Sequence, residues 1–182
     1  ITEAQFECDR FLPYWAELWP SAEVLFALPA LGTLPRPAAI CDLGCGLGVI
    51  SARLRKLGCN VVSIDISPEA CVYARANILR HAPRAHVACA DWRRPPLKHA
   101  FDIVVAADVL YEDQCLEPVV RFLCRWVTPH GRAIIADPCR AQWEGFKQRI
   151  AQKDFAVEKL HREEINGGKT TVEVLCLRRG DA

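Results

Sequence analysis

From Ala38 onward the chain alternates short, continuous apolar runs with stretches in which apolar residues recur every three or four positions. The runs at 38–43, 60–65, 85–90, 101–107 and 131–137 have the length of buried strands. Between them, Ile50, Leu54 and Leu57 share one helical face, and Leu116, Val119, Val120, Leu123 and Val127 share another. Ser67-Pro68-Glu69 opens the helix after the second run, because serine accepts from orphan amides and proline suits the first helical position. That helix is expected to reach about His81, where Pro83 stops it. A helix over Gln142–Gln152 follows the fifth run. Phe155–Leu160 and Thr171–Arg178 then read as two strands joined through the turn-forming Asn166-Gly167-Gly168.

Strand–helix alternation of this kind predicts an α/β fold, a doubly wound and mostly parallel sheet with helices on both faces. The two last strands, with no helix between them, add one antiparallel member at the end of a seven-stranded sheet. The chain reads as one domain over 1–182, with an N-terminal helical segment and Pro/Gly connector over 1–37 and the core over 38–182. In the segment PYWAELWPSAEVLFAL, Trp15, Leu18, Trp19, Ala22, Leu25 and Phe26 fall at helix-like spacing and are expected to be mostly core contacts. Pro20 places the start of that helix near itself.

Composition narrows the class of partner. A hydrophobic content of 51% with 25% charged residues is that of a soluble globular protein. A formal net charge of +1 supplies no overall pull toward nucleic acid or an anionic membrane. No apolar run approaches a membrane span, and no secretory segment opens the chain. It begins at Ile1, which leaves room for a targeting segment ahead of it. Ten cysteines are scattered without a CxxC pair, and Cys41 and Cys45 have no matching second pair, so no metal site is expected. They read as reduced thiols in an intracellular, cytoplasmic protein.

The candidate chemistry begins at CDLGCGLGVIS, where Gly44, Gly46 and Gly48 alternate directly after the first strand. A glycine loop there lies at the carboxyl edge of the sheet, where ligands bind. The dinucleotide fingerprint is GxGxxG, with pyrophosphate over the helix N-terminus. Here Val49 replaces the third glycine, and Asp42 puts a carboxylate where phosphate would be a poor neighbour and a cation a good one. Asp65 ends the second strand, where an acid can accept two ribose hydroxyls. Asp91-Trp92 follows the third strand, suited to the edge and face of a base. These groups describe a ligand with a ribose, a base and positive charge but no pyrophosphate. Each residue also has a plainer role open to it: Asp65 as a helix-capping acid, Trp92 as a cover for the sheet edge, the glycines as a tight turn.

With Asp42-Leu43-Gly44-Cys45-Gly46-Leu47-Gly48, Asp65 and Asp91 in this order, the chain resembles the class I, seven-strand methyltransferases. The resemblance implies a Rossmann-like sheet, S-adenosylmethionine as methyl donor and S-adenosylhomocysteine as product. Carried onto this sequence, it implies cofactor contacts from Trp19, Asp42, Gly44, Cys45, Gly46, Gly48, Asp65, Ile66, Asp91, Trp92 and Asp108.

The fourth strand, FDIVVAAD, runs into Asp108-Val109-Leu110-Tyr111. Methyl transfer needs a nucleophile in line with the donor methyl, and an amine must also lose a proton. Asp108 and Tyr111 are therefore the candidate catalytic pair; alternatively Asp108 caps the next helix and Tyr111 packs. The Asn/Asp-Pro-Pro-Tyr/Phe run that resembles enzymes of base amines and glutamine amides is missing. Asp-x-x-Tyr is instead similar to many protein-lysine methyltransferases, as is Trp19-Pro20 ahead of the glycine loop, in a segment that closes over the cofactor. Ala136-Asp137-Pro138-Cys139-Arg140-Ala141-Gln142 is similar to the Gly-Asp-Pro-Gly-Arg-x-Gln run in the lysine methyltransferase of the electron-transfer-flavoprotein β subunit, with Cys139 in place of a glycine. The resemblance implies a monomer that methylates a protein lysine, with that β subunit as the target, and no nucleic acid or membrane partner. Methylation of a small-molecule amine or heteroaromatic nitrogen keeps the same cofactor. An NAD-binding protein, or a methyltransferase-like fold that only binds a partner, fits the loop spacing less well.

Overall fold

The computed structural model describes residues 14–180. Its seven strands are β1 (Ala39–Leu43), β2 (Asn60–Asp65), β3 (His86–Cys89), β4 (Phe101–Ala107), β5 (Val127–Asp137), β6 (Phe155–Ile165) and β7 (Thr170–Arg179). The helices are α1 (Pro20–Ala27), α2 (Val49–Lys56), α3 (Pro68–Leu79), α4 (Asp113–Trp126) and α5 (Ala141–Ala151), with 3-10 turns at Tyr14–Ala16 and Pro29–Thr33.

The sheet order is β3-β2-β1-β4-β5-β7-β6. The first five strands run parallel, and β7 lies antiparallel between β5 and β6. This is the doubly wound sheet that strand–helix alternation requires. The β6–β7 turn places Asn166, Gly167 and Gly168 all at positive φ, which explains the turn chemistry at that point.

Alternation along each strand sorts the core into two layers. Leu43, Val104, Ala106, Ile135 and Leu175 face α4 and α5, where Leu116, Val119, Leu123, Phe146 and Ile150 meet them. Their neighbours Ile40, Val61, Ile103, Val105, Ile134 and Val174 face Val24 and Leu25 of α1 and Ile50 and Leu54 of α2. Helix α3 lies beside α2 and is anchored by Ile78 against Ala52. Ser67 caps it as its sequence predicts, accepting from the Ala70 amide at 3.1 Å.

Two expectations are corrected. Val127 belongs to β5, because α4 ends at Trp126 and the chain turns extended there. In the N-terminal segment only Leu25 of the six expected core residues is buried, joined by Val24 and Leu28. Leu18 is 45% exposed and Phe26 42% exposed. The helix begins at Pro20, so residues 14–19 do not share its face; they lie across the end of the sheet instead. Cys8 and Pro13 fall outside the described residues. The nine described cysteines are all free thiols.

Candidate active site

The parallel strands bring Leu43, Asp65, Ala107 and Asp137 to one edge of the sheet, and the loops leaving that edge line a cleft of about 1230 Å³. Its walls include Asp42, Gly44, Cys45 and Gly46 from β1 and its loop, and Asp65 and Ile66 from β2. Trp92, Asp108, Tyr111 and Arg140 complete the far side, with Tyr14, Trp15 and Trp19 across the top.

The three glycines do different work. A Cβ at Gly44 would stand 2.9 Å from Val109 Cγ1 and 3.3 Å from Trp92, so the loop can pass under the fourth strand's end only without a side chain. Gly48, at φ 72, abuts Ala74 of α3: a Cβ there would lie 2.8 Å from its Cα. It sets the approach of α2 to α3 and does not line the cleft.

The loop is held by an acid on each side. Asp42 is buried; its Oδ2 accepts from the Ser51 amide at 3.0 Å and the Ser51 hydroxyl at 2.6 Å, and Ser51 Oγ lies 2.6 Å from Ser63 Oγ. Burial pushes the Asp42 carboxyl up to about 6, against the pull of those donors. Asp65 accepts from the Gly46 amide at 2.8 Å through one oxygen and from the Ser67 amide at 2.9 Å through the other. It thus ties the loop after β1 to the turn before α3, and burial raises its pKa as well. Cys45 contributes its amide, bonded to the Ile64 carbonyl at 3.0 Å. Burial raises its thiol far above the usual range, which argues against a thiolate role.

The base side differs from the sequence reading. Trp92 and the exposed Ile66 line the cleft. Asp91 does not: both its oxygens face Arg93, with Nε at 3.0 and 2.8 Å and a terminal nitrogen at 2.7 Å.

On the acceptor side Asp108 sits just beyond β4 at φ 58, a left-handed conformation unusual outside glycine. Its Oδ1 accepts from Arg140 Nη1 at 2.8 Å. The same nitrogen reaches Asp137 Oδ2 at 3.3 Å, and Asp137 Oδ1 accepts the Arg140 amide at 2.9 Å. Burial raises the pKa of Asp108, while Arg140 and the hydroxyl and amide of Ser21 work to lower it. Ser21 does not complete a hydrogen bond by geometry, for Ser21 Oγ and Asp108 Oδ2 are both buried without a partner. Burial likewise lifts Asp137 to about 6. Tyr111 is 41% exposed and does not pack inside; its ring lies 5.9 Å from that of Tyr14. Nor does Asp108 cap α4, whose N-cap position is Glu112.

Several of these partners escape sequence reading. Asn77 of α3 donates to the Leu47 carbonyl at 2.9 Å, and Ser51 and Ser63 hold Asp42. Arg140 lies within the run Ala136–Gln142, but nothing in its spacing points to Asp108.

The cleft fits S-adenosylmethionine on its own terms. Its volume exceeds the roughly 300–1000 Å³ of a pocket for one small ligand, leaving room for cofactor and acceptor together. Asp42 and Asp65 on its wall suit a cationic group and hydroxyls, and its backbone loop offers no basic side chain for phosphate.

The sequence pattern of a methyltransferase domain matches residues 36–175. The chain is 28% identical over 127 residues to the ubiquinone biosynthesis O-methyltransferase of Bradyrhizobium sp. (strain ORS 278), covering 66% of this chain and 47% of that protein. It spans about half the length of the curated relatives it matches. Among solved structures, it superposes on the N-methyltransferase NodS of Bradyrhizobium japonicum WM9, in complex with S-adenosylhomocysteine, with a TM-score of 0.71. Identity there is 18%, over 97% of this chain and 95% of that one. A TehB-like SAM-dependent methyltransferase from Corynebacterium glutamicum gives a TM-score of 0.69 at 23% identity, over 85% and 87% of the two chains. The likeness to the solved structures is one of fold; the matched residues carry the glycine loop and both acceptor-side acids, and the chain belongs to the methyltransferase-domain family, with S-adenosylmethionine as its cofactor.

Proposed function

We propose that this protein N-methylates an amine carried by a small molecule. The observation that carries this reading is the charge of the cleft. Among its described lining residues Glu17, Asp42, Asp65, Glu69, Asp108 and Glu112 face a single basic side chain, Arg140. An acidic wall with low-dielectric surroundings concentrates cations and repels anions. An ammonium is attracted to it, whereas a phenolate would be disfavoured there.

S-adenosylmethionine supplies a methyl group already activated on a sulfonium. What remains for the protein is orientation and one proton. Asp108 lines the acceptor side of the cleft, and its Oδ2 is buried without a hydrogen-bond partner, so a turn of the side chain is what would bring that oxygen to an N–H of the acceptor. Its raised pKa makes it a stronger base than an ordinary carboxylate, able to take the proton the nitrogen must lose. Tyr111 and Tyr14 flank the approach with aromatic faces, which suit a cation. The small-molecule acceptor is supported by relatives named for ubiquinone biosynthesis and by the aromatic rings of Tyr14, Trp19, Trp92 and Tyr111, which line the cleft together with Asp108.

A lysine side chain of a protein is the second reading, favoured by the exposure of Tyr14 and Tyr111 at 40% and 41% on the rim. The electron-transfer-flavoprotein β subunit remains the candidate protein to test.

The deciding experiment incubates the protein with methyl-labelled S-adenosylmethionine and a clarified lysate, then separates small molecules from protein. Label in base-stable N-methyl groups of the small-molecule fraction, lost with Asp108→Asn, is the expected result. Label in O-methyl groups would overturn the nitrogen acceptor, and label in a protein band would transfer the reading to lysine.

A further inference from the structure

Resting on the cofactor assignment above, we propose that Arg140 is a positioning residue: it latches the aromatic cap formed by Tyr14 and Trp19 to the acceptor-side acids, so that cap and acceptor site form together. Arg140 is the one basic side chain among the described residues of the cleft wall. Its guanidinium bridges Asp108 and Asp137 at 2.8 and 3.3 Å and lies 5.9 Å from the centre of the Trp19 ring. Trp19 Nε1 in turn donates to the Tyr14 carbonyl at 2.6 Å, and the Tyr14 ring meets Tyr111 at 5.9 Å. The contacts run from Arg140 through Trp19 and Tyr14 to Tyr111, three positions beyond Asp108, and close a ring around the acceptor opening.

Apart from these contacts, the segment carrying the cap is held by Trp15, whose ring meets that of Tyr73 at 5.3 Å and whose carbonyl borders Gly46. The 3-10 turn Tyr14–Ala16 buries no residue, and Leu18 is 45% exposed. Arg140, by contrast, is fixed by its own backbone: its amide bonds to Asp137, and only 22% of its side chain is exposed. A guanidinium can serve both partners at once, since its edge meets carboxylates while its face meets a ring. Two buried acids flanking one arginine also leave the cluster with a surplus negative charge for an incoming ammonium. Removing Arg140 should therefore loosen the cap and weaken cofactor binding, although Arg140 lies on the acceptor side.

The test is a double-mutant cycle read by calorimetric titration with S-adenosylhomocysteine, which needs no knowledge of the acceptor. Arg140→Gln and Trp19→Leu are each expected to weaken binding about fivefold, the size of a partly shielded cation–ring contact. The double variant should be no weaker than the worse single one, and Arg140→Lys should recover about half of the loss on a logarithmic scale. Thermal melts accompany each variant. Should Arg140→Gln be unfolded, the cycle is run between Arg140→Lys and Trp19→Leu, where the Trp19 effect must shrink. Independent, multiplying losses, or full affinity in a folded Arg140→Gln, would overturn the latch alone. No binding by the unaltered protein would overturn the cofactor assignment and the latch with it.

Discussion

The amide of Gly46 donates to Asp65 Oδ2 at 2.8 Å, so the acid that ends β2 holds the glycine loop that follows β1. Its second oxygen takes the Ser67 amide at the mouth of α3. One carboxylate therefore fixes both the loop beneath the cofactor and the turn beside it. The two roles that the sequence leaves open for Asp65, ligand acid and turn acid, are not exclusive.

Asp65→Ala is accordingly expected to weaken S-adenosylhomocysteine binding by about 10- to 100-fold, the range for losing hydrogen bonds to a charged group. Asp65→Asn keeps one acceptor oxygen and should lose less. Calorimetric titration of both variants checks the order; equal losses would mean that the charge alone matters and the loop is held by other means.

Gly48 tests packing without touching the cleft. Gly48→Ala places a Cβ 2.8 Å from Ala74 at a φ of 72 and is expected to cost about 2–4 kcal/mol in urea denaturation. Gly58 has a similar positive φ, 85, but open space around it. Gly58→Ala should lose only about 1 kcal/mol, the backbone cost alone.

Part of this architecture is legible in the residue order, and the division has a physical cause. Strand cores show because burial on both faces produces a continuous apolar run, as along Phe101–Ala107 and its partner run Gly131–Asp137, and helix cores show because burial on one face imposes a period. Asp42 and Asp65 show because strand ends place them on either side of one loop. Arg140 does not, since it meets Asp108 from 32 positions away, and no local pattern encodes that distance. Asn77 is hidden in the same way, 30 positions from Leu47. Asp91 is the converse case: its position at a strand end is right, but Arg93, two residues on, turns it from the cleft. The N-terminal segment misleads because aromatic residues that cover a ligand cleft share the spacing of residues that face a core.

The buried acids set a pH dependence with a definite sign. Asp42 titrates in the folded protein at about 6 against 3.8 for the free side chain. Its contribution to stability is therefore full below about pH 4 and lost as pH rises through 6, by at most about 3 kcal/mol. Asp42→Asn should remove this slope, so the variant gains on the parent between pH 4.5 and 7.5 in urea denaturation while matching it near pH 4. A cationic cofactor reverses the preference: affinity should rise with pH through about 6 in the parent, and less so in the variant.

Cys139 supplies the last test. It stands where the similar family run carries glycine, and it adopts φ 57, the left-handed conformation that glycine accepts freely. The turn from Asp137 to Arg140 is thus kept despite the side chain, and the Asp137 Oδ1 bond to the Arg140 amide closes it. Burial raises the Cys139 thiol, which argues against a thiolate role. Cys139→Gly relieves the backbone but loosens the unfolded chain, so stability should stay within about 1 kcal/mol and acceptor labelling should persist. Cys139→Val, branched at a positive φ, should instead lose about 1–2 kcal/mol. Urea denaturation with the labelling assay separates the outcomes: abolished labelling in a stable Cys139→Gly protein would show that the thiol itself, and not the turn it occupies, serves the site.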